Sequence, residues 1–122
     1  MERRTRNLPS VAFNASHDNN TLDSRSASKG PEPEGLAIAR FGQKVVAFIG
    51  LERVGGVMAY DISRPSAPVL MHYFNIRTAA TGDRGPEGLL YISADKSPNG
   101  KPLLVVGNET SGTTLVLQVT LQ

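Results

Sequence analysis

Cysteine and tryptophan are both absent from the 122 residues of this chain. Without cysteine there can be no disulfide, no Cys-ligated zinc and no thiol nucleophile, and the redox compartment stays open. No apolar run approaches the ~18 residues of a membrane-spanning helix. Aromatic residues make up only 6% of the chain, and the net charge of +2 is too small to point to nucleic acid. Much of that excess sits in Arg3, Arg4 and Arg6, which read as a solvated tail. No apolar stretch follows Met1-Glu2-Arg3-Arg4, so the sequence as written carries no signal peptide and is expected to stay in the cytoplasm.

What the chain does have is glycine and proline, 12 and 8 residues respectively, which imply many turns and an all-β fold. A content of 39% hydrophobic and 20% charged residues suits one soluble domain. The strongest signal is a duplication. Pro33-Glu34-Gly35-Leu36 returns 53 residues later as Pro86-Glu87-Gly88-Leu89. Gly50-Leu51-Glu52 returns 57 residues later as Gly107-Asn108-Glu109. A period of roughly 50 residues filled with short strands is the signature of propeller blades.

Residues 1–30 read as an irregular polar segment, a long loop anchored by one short strand through Leu8, Val11 and Phe13. A first blade is expected over 31–84, with strands at Leu36–Arg40, Val45–Leu51, Val57–Ile62 and Val69–Phe74. A second, incomplete blade is expected over 85–122, with strands at Gly88–Ser93, Leu103–Asn108 and Thr113–Thr120 and no obvious fourth. Arg64-Pro65-Ser66-Ala67-Pro68 must be a loop, because proline cannot donate to a central ladder. The expectation is therefore about two four-stranded antiparallel blades of a β-propeller.

This layout locates a working rim. Each Pro-Glu-Gly motif opens the innermost strand of a blade, and each second glutamate closes the neighbouring strand. Antiparallel pairing brings both glutamates to the same end. The hairpin that differs in length between the repeats lies at the opposite end. Glu34 with Glu52, and Glu87 with Glu109, should converge near the central axis.

Several of these segments resemble the choice-of-anchor I family. They are Lys29-Gly30-Pro31-Glu32-Pro33-Glu34-Gly35, Phe48-Ile49-Gly50-Leu51-Glu52-Arg53, Gly85-Pro86-Glu87-Gly88-Leu89 and Ser97 to Val106. Within this resemblance, Val57 to Val69 is similar to the LVIVD repeat of extracellular propellers. The family includes bacterial surface or secreted propellers, some labelled alkaline phosphatase-like. It also includes mesenchyme-specific cell-surface glycoproteins linked to biomineralisation. The resemblance implies a full propeller of several hundred residues with an export signal. The chain is therefore expected to be a C-terminal fragment of an extracellular or cell-surface parent.

Glu34, Glu52, Glu87 and Glu109 are the metal candidates, and calcium is the expected ion. Calcium takes six to eight oxygens, largely carboxylate and carbonyl, and a glycine beside each motif lets backbone approach closely. The resemblance adds that such Pro-Glu-Gly glutamates face the channel in calcium-dependent propellers. The competing reading is a blade-to-blade brace, with the glutamates taking backbone N–H groups or pairing with Arg53 or Arg84. Asp18, Asn19, Asn20, Asp23 and Ser24 are oxygen-rich but lack the EF-hand order and read as a solvated loop. His17 and His72 show no ligand spacing, and Asp61 reads as a turn cap before Pro65. Ser111 has no sequence-indicated base, and no Walker loop, Gly-x-Ser-x-Gly elbow or His-Glu-x-x-His motif is present.

Three functional readings follow. The first is a non-catalytic segment of a surface or secreted propeller with an acidic, calcium-binding rim. The second is a metal-dependent alkaline phosphatase-like or phytase-like phosphoesterase using the same glutamates with Arg53 and Arg84. The third is a scaffold for protein or glycan contacts. The expected partners are the remaining blades of a larger propeller or further copies of the chain, because two blades leave apolar faces and edges uncovered.

Overall fold

Every regular element in the computed structural model, which describes residues 12–78 and 81–121, is a β-strand. The strands are β1 (Pro33–Phe41), β2 (Lys44–Leu51), β3 (Val57–Asp61), β4 (Val69–Phe74), β5 (Pro86–Ile92), β6 (Leu103–Asn108) and β7 (Thr113–Gln118). They form an antiparallel sheet of order β1-β2-β3-β4 and a second of order β5-β6-β7. These are two blades of a β-propeller, the second with three strands among the described residues.

Local chemistry sets the connections. β1 and β2 join through a tight hairpin in which Phe41 faces Lys44 and Gly42 takes a φ of 60°. The β3–β4 loop starts where Asp61 Oδ1 accepts the Ser63 N–H at 2.9 Å, the cap expected from the sequence. β1 starts earlier than expected, at Pro33, because the first residue of a strand can dispense with a donated hydrogen bond. β7 ends at Gln118 rather than Thr120, although the Val119 N–H still reaches the Pro102 carbonyl at 2.9 Å.

Phe13 lies in a turn rather than in a strand. Its expected companions Leu8 and Val11, and the Arg3, Arg4 and Arg6 tail, lie outside the described residues. The segment that follows is built from successive turns. The Asp23 N–H bonds to the Phe13 carbonyl at 2.6 Å and the Arg25 N–H to the Asn14 carbonyl at 2.9 Å.

The blades pack face to face. Alternation along each strand sends one set of side chains to a front face and the next set to a back face. The front of the first sheet carries Ala37, Ala39, Val46, Phe48 and Val57, which form one core with Leu104 and Val106 of the second sheet. Leu89, Tyr91, Leu115 and Leu117 pack against that core from the back of the second sheet. Tyr91 meets the Phe41 ring edge-on at 5.5 Å and stacks on Phe48 at 6.4 Å.

The innermost contact is tight because β1 presents only small side chains there. A Cβ on Gly35 would collide with Leu89 Cδ1 and lie 2.6 Å from the Glu87 carbonyl oxygen. A Cβ on Gly50 would lie 2.8 Å from the Pro86 carbonyl oxygen. Two glycines beside the rim motifs therefore let the second blade approach the first. A smaller cluster of Leu51, Val54 and Met58, flanked by Ile49, Tyr60, Leu70 and Tyr73, lies apart from the inter-blade core.

Candidate cation-binding rim

Strand register brings the duplicated glutamates to one end of each blade. Pro33 pairs with Leu51, so Glu34 and Glu52 follow at the same end of the β1–β2 ladder. Pro86 pairs with Asn108, which places Glu87 and Glu109 alike in the second blade. The rim backbone is also duplicated. The Glu52 N–H donates to the Glu32 carbonyl at 2.9 Å, and the Glu109 N–H donates to the Gly85 carbonyl at 2.8 Å.

Glu32 and Gly85 are thus equivalent, and both are left-handed, with φ of 53° and 74°. Glycine adopts that conformation freely, whereas glutamate is strained in it. Side-chain contacts hold Glu32 there. Its Oε1 lies 2.8 Å from Lys29 Nζ, and its Oε2 lies 2.7 Å from Arg25 Nη2 and 2.8 Å from Arg53 Nε. The hydrogen bond from Lys29, together with those from Arg53, draws the Glu32 carboxyl down to about 2 despite its burial.

The three carboxylates of Glu32, Glu34 and Glu52 come together, one oxygen of each within 4.8 Å of the others. Glu52 is buried, Glu34 is exposed, and burial is the main cause that pushes the Glu52 carboxyl upward. Glu34, Glu32 and Glu109 add repulsion in the same direction, against the pull of Arg53. Glu87 and Glu109 stand outside this three-carboxylate cluster, both exposed at the rim of the second blade.

Arg53 ties the site together. Its Nε binds Glu32, its Nη2 lies 3.0 Å from Glu52 Oε1, and its Nη1 donates to His17 Nδ1 at 2.6 Å. Burial and the Arg53 charge depress the His17 imidazole, which stays a neutral acceptor for that bond. Of the two arginines expected to pair with glutamates, only Arg53 does so. Arg84 Nη1 instead donates to the His17 carbonyl at 3.1 Å.

Arg77 anchors the polar segment against this assembly. Its side chain is almost fully buried, and Nη1 donates to the carbonyls of Arg53 at 2.7 Å and Val54 at 3.1 Å. Its Nη2 reaches back to the carbonyls of Ser16 and Asn19. The oxygen-rich residues of that segment serve its own turns: Asn19 Oδ1 accepts the Thr21 N–H at 2.9 Å and Asn20 Oδ1 accepts the Ala12 N–H at 3.1 Å. His72 is exposed on β4, away from the rim.

Sequence reasoning located Glu34, Glu52 and Arg53 but missed Glu32, Lys29, Arg25, His17 and Arg77. One signal for Glu32 was available, since it stands between two prolines and aligns with a glycine in the other repeat. Nothing local marks Arg77, two of whose partners lie about sixty residues upstream.

The donor set is hard oxygen, which suits calcium rather than a soft-ligand metal. Both oxygens of Glu32 are engaged by cations and Glu52 Oε1 is paired with Arg53, so the remaining donor capacity lies with Glu34 and the second oxygen of Glu52. Ser111 shows no catalytic arrangement. Its hydroxyl accepts the Arg84 N–H at 3.0 Å and lies 2.9 Å from Thr113 Oγ1.

A profile of the choice-of-anchor I domain matches residues 1–65. Gigasin-3a of Magallana gigas is 36% identical over 112 residues, a match that takes in 81% of this chain and 39% of that relative. The chain thus spans about two fifths of the length of the curated relative it matches. No solved structure matches the chain.

Proposed function

The chain belongs to the choice-of-anchor I family, and on that premise we propose that it serves as a non-catalytic propeller segment of a surface protein whose glutamate rim binds calcium. The observation that carries this reading is the convergence of Glu34 and the buried Glu52 beside the cation-saturated Glu32. A buried carboxylate repelled by three others gains from a divalent cation. Glu34 and Glu52 hold the ion, and Glu87 and Glu109 offer the second blade's carboxylates to the same rim. Calcium neutralises the repulsion there and stiffens the junction between blades. Surface placement is what the family suggests, and no helix among the described residues is long and apolar enough to cross a membrane.

The Arg53 guanidinium acts as a brace rather than as a phosphate clamp, since all three of its nitrogens already face Glu32, Glu52 or His17. That arrangement favours a structural ion over phosphoester hydrolysis. Thermal melts in calcium and in chelator test the proposal. Wild type should melt higher with calcium, and Glu34→Gln should abolish the difference. Equal melting temperatures for wild type in the two conditions would overturn it.

A further inference from the structure

Opposite the acidic rim, the blades end in cationic loops. Antiparallel register sends the β1–β2 hairpin, the β3–β4 loop and the β5–β6 loop to this far end, where Phe41 faces Lys44, Asp61 faces Val69 and Ile92 faces Leu103. Phe41 meets Tyr91 at 5.5 Å, so the far ends of the two blades lie side by side. The cations there are Arg40, Lys44, Arg64, Lys96 and Lys101, against the carboxylates of Asp61 and Asp95. At the rim, Arg25, Lys29 and Arg53 are all paired with Glu32. At the far end only Lys44 is paired, at 3.9 Å from Asp61 Oδ2. Arg40, Arg64, Lys96 and Lys101 are exposed and form no ion pair among the described residues. Both carboxylates serve their own loops: Asp61 Oδ1 accepts the Ser63 N–H, and Asp95 is hydrogen-bonded by Ser93.

Arg64, Lys96 and Lys101 stand on loops that join strands within one blade. Blades pack through their sheet faces, as these two do, so further blades would leave such loops open. Residues 42–43, 63–68 and 93–102 include no aromatic residue and no leucine, isoleucine or valine. There is no ring to stack on a nucleic-acid base and no large apolar side chain to enter a lipid surface. The cations are accompanied instead by Gln43, Ser66 and Asn99, all exposed. Asn99 Oδ1 accepts the Ser97 hydroxyl at 2.7 Å and the Lys101 N–H at 3.0 Å, which leaves its Nδ2 as an open donor. Unpaired cations beside neutral amide and hydroxyl groups match a sugar chain that carries both carboxylates and hydroxyls.

We propose that the loop end of the blades binds an acidic polysaccharide. Arg64, Lys96 and Lys101 hold its carboxylates, and Gln43, Ser66 and Asn99 bond to its hydroxyls. The attraction acts between exposed charges, so it weakens with salt as the screening length falls from about 10 Å at 0.1 M to about 3 Å at 1 M. It is independent of calcium, whose proposed site lies at the other end of β1 and β2.

Retention of the full chain on immobilised alginate, a polyuronate, tests it, in chelator so that calcium plays no part. Wild type should be held at low salt and released at about 1 M. Arg64→Gln, Lys96→Gln and Lys101→Gln together should weaken binding about tenfold or more, and each alone about twofold. All three positions are exposed, so the melting temperature should stay at the wild-type value. Glu87→Gln with Glu109→Gln, at the rim, should bind alginate as wild type does. Four results would each overturn the proposal: no retention of wild type, equal retention on neutral dextran, retention indifferent to the loop substitutions, or tighter binding to phosphatidylglycerol vesicles or oligothymidylate at matched charge. None of them alters the calcium melt, so the two readings fail separately.

Discussion

Arg77 holds Arg53 by its backbone. Nη1 of the buried guanidinium lies 2.7 Å from the Arg53 carbonyl, while the Arg53 side chain reaches Glu32 at 2.8 Å and Glu52 at 3.0 Å. The rim carboxylates are therefore positioned by a chain of contacts that begins outside the acidic motif. Removing Arg77 should disturb both ends of it. Arg77→Ala leaves the carbonyls of Arg53 and Val54 without this donor and frees the Ser16–Asn19 stretch. The expected loss is about 2–4 kcal/mol of stability, with Arg77→Lys milder. Urea denaturation measures the first effect, and faster proteolysis within residues 16–29 reports the second.

Glu32 should show opposing backbone and charge effects. Its left-handed φ of 53° is one that glycine adopts at the equivalent Gly85. Glu32→Gly and Glu32→Ala both lose the three cationic partners, but only alanine keeps the backbone strain. Glycine should be the more stable of the two by about 1 kcal/mol, and both should fall below wild type. Equal stabilities of the two variants would contradict the strain argument.

The pH dependence of Glu32 has a defined sign. The folded carboxyl sits at about 2, below its ordinary 4.5. Its stabilising contribution is complete above the unfolded value and is lost as pH falls from about 4.5 through about 2. Urea midpoints of wild type and Glu32→Gln should therefore converge across that interval. A gap that stays constant down to the lower limit would refute the assignment.

Glu52 should behave in the opposite sense. Burial raises its folded carboxyl above the ordinary 4.5, so its ionised form weakens the fold at neutral pH. In chelator, Glu52→Gln should melt higher than wild type at pH 7, and the advantage should vanish in acid. Addition of calcium should reverse the order by stabilising only wild type. A variant less stable than wild type in chelator would show that the Arg53 contact outweighs the burial.

The glycines at the blade junction give a control pair. Gly35→Ala drives a Cβ against Leu89 and the Glu87 carbonyl, a backbone collision worth about 1–3 kcal/mol. Gly88→Ala adds a Cβ into space that is open within the monomer and should change the monomer's stability by less than about 0.5 kcal/mol. Chemical denaturation of the two variants separates them.

Much of this architecture was legible in the chain. The duplicated Pro-Glu-Gly motif marked the two innermost strands, which begin at Pro33 and Pro86 rather than at Leu36 and Gly88, and antiparallel pairing alone placed Glu34 beside Glu52. The core of each strand was readable because apolar residues occupy both faces of each sheet. Strand ends shifted by a few residues because Pro33 begins a strand without donating to it. The rest of the site was hidden for a physical reason. Arg77 and His17 join the rim through loop carbonyls and one imidazole nitrogen across long sequence separations, and such contacts leave no periodicity. Lys29 and Arg25 read as ordinary solvated charges until the turns of residues 12–32 bring them to Glu32.

Calorimetric titration of the chain with calcium at pH 7 reads the proposed Glu34–Glu52 site itself. One ion per chain should bind saturably, with a dissociation constant at or below the ~1 mM of weak extracellular modules. Glu34→Gln and Glu52→Gln should each abolish that heat. Absence of saturable heat in wild type, or binding that survives both substitutions, would contradict it.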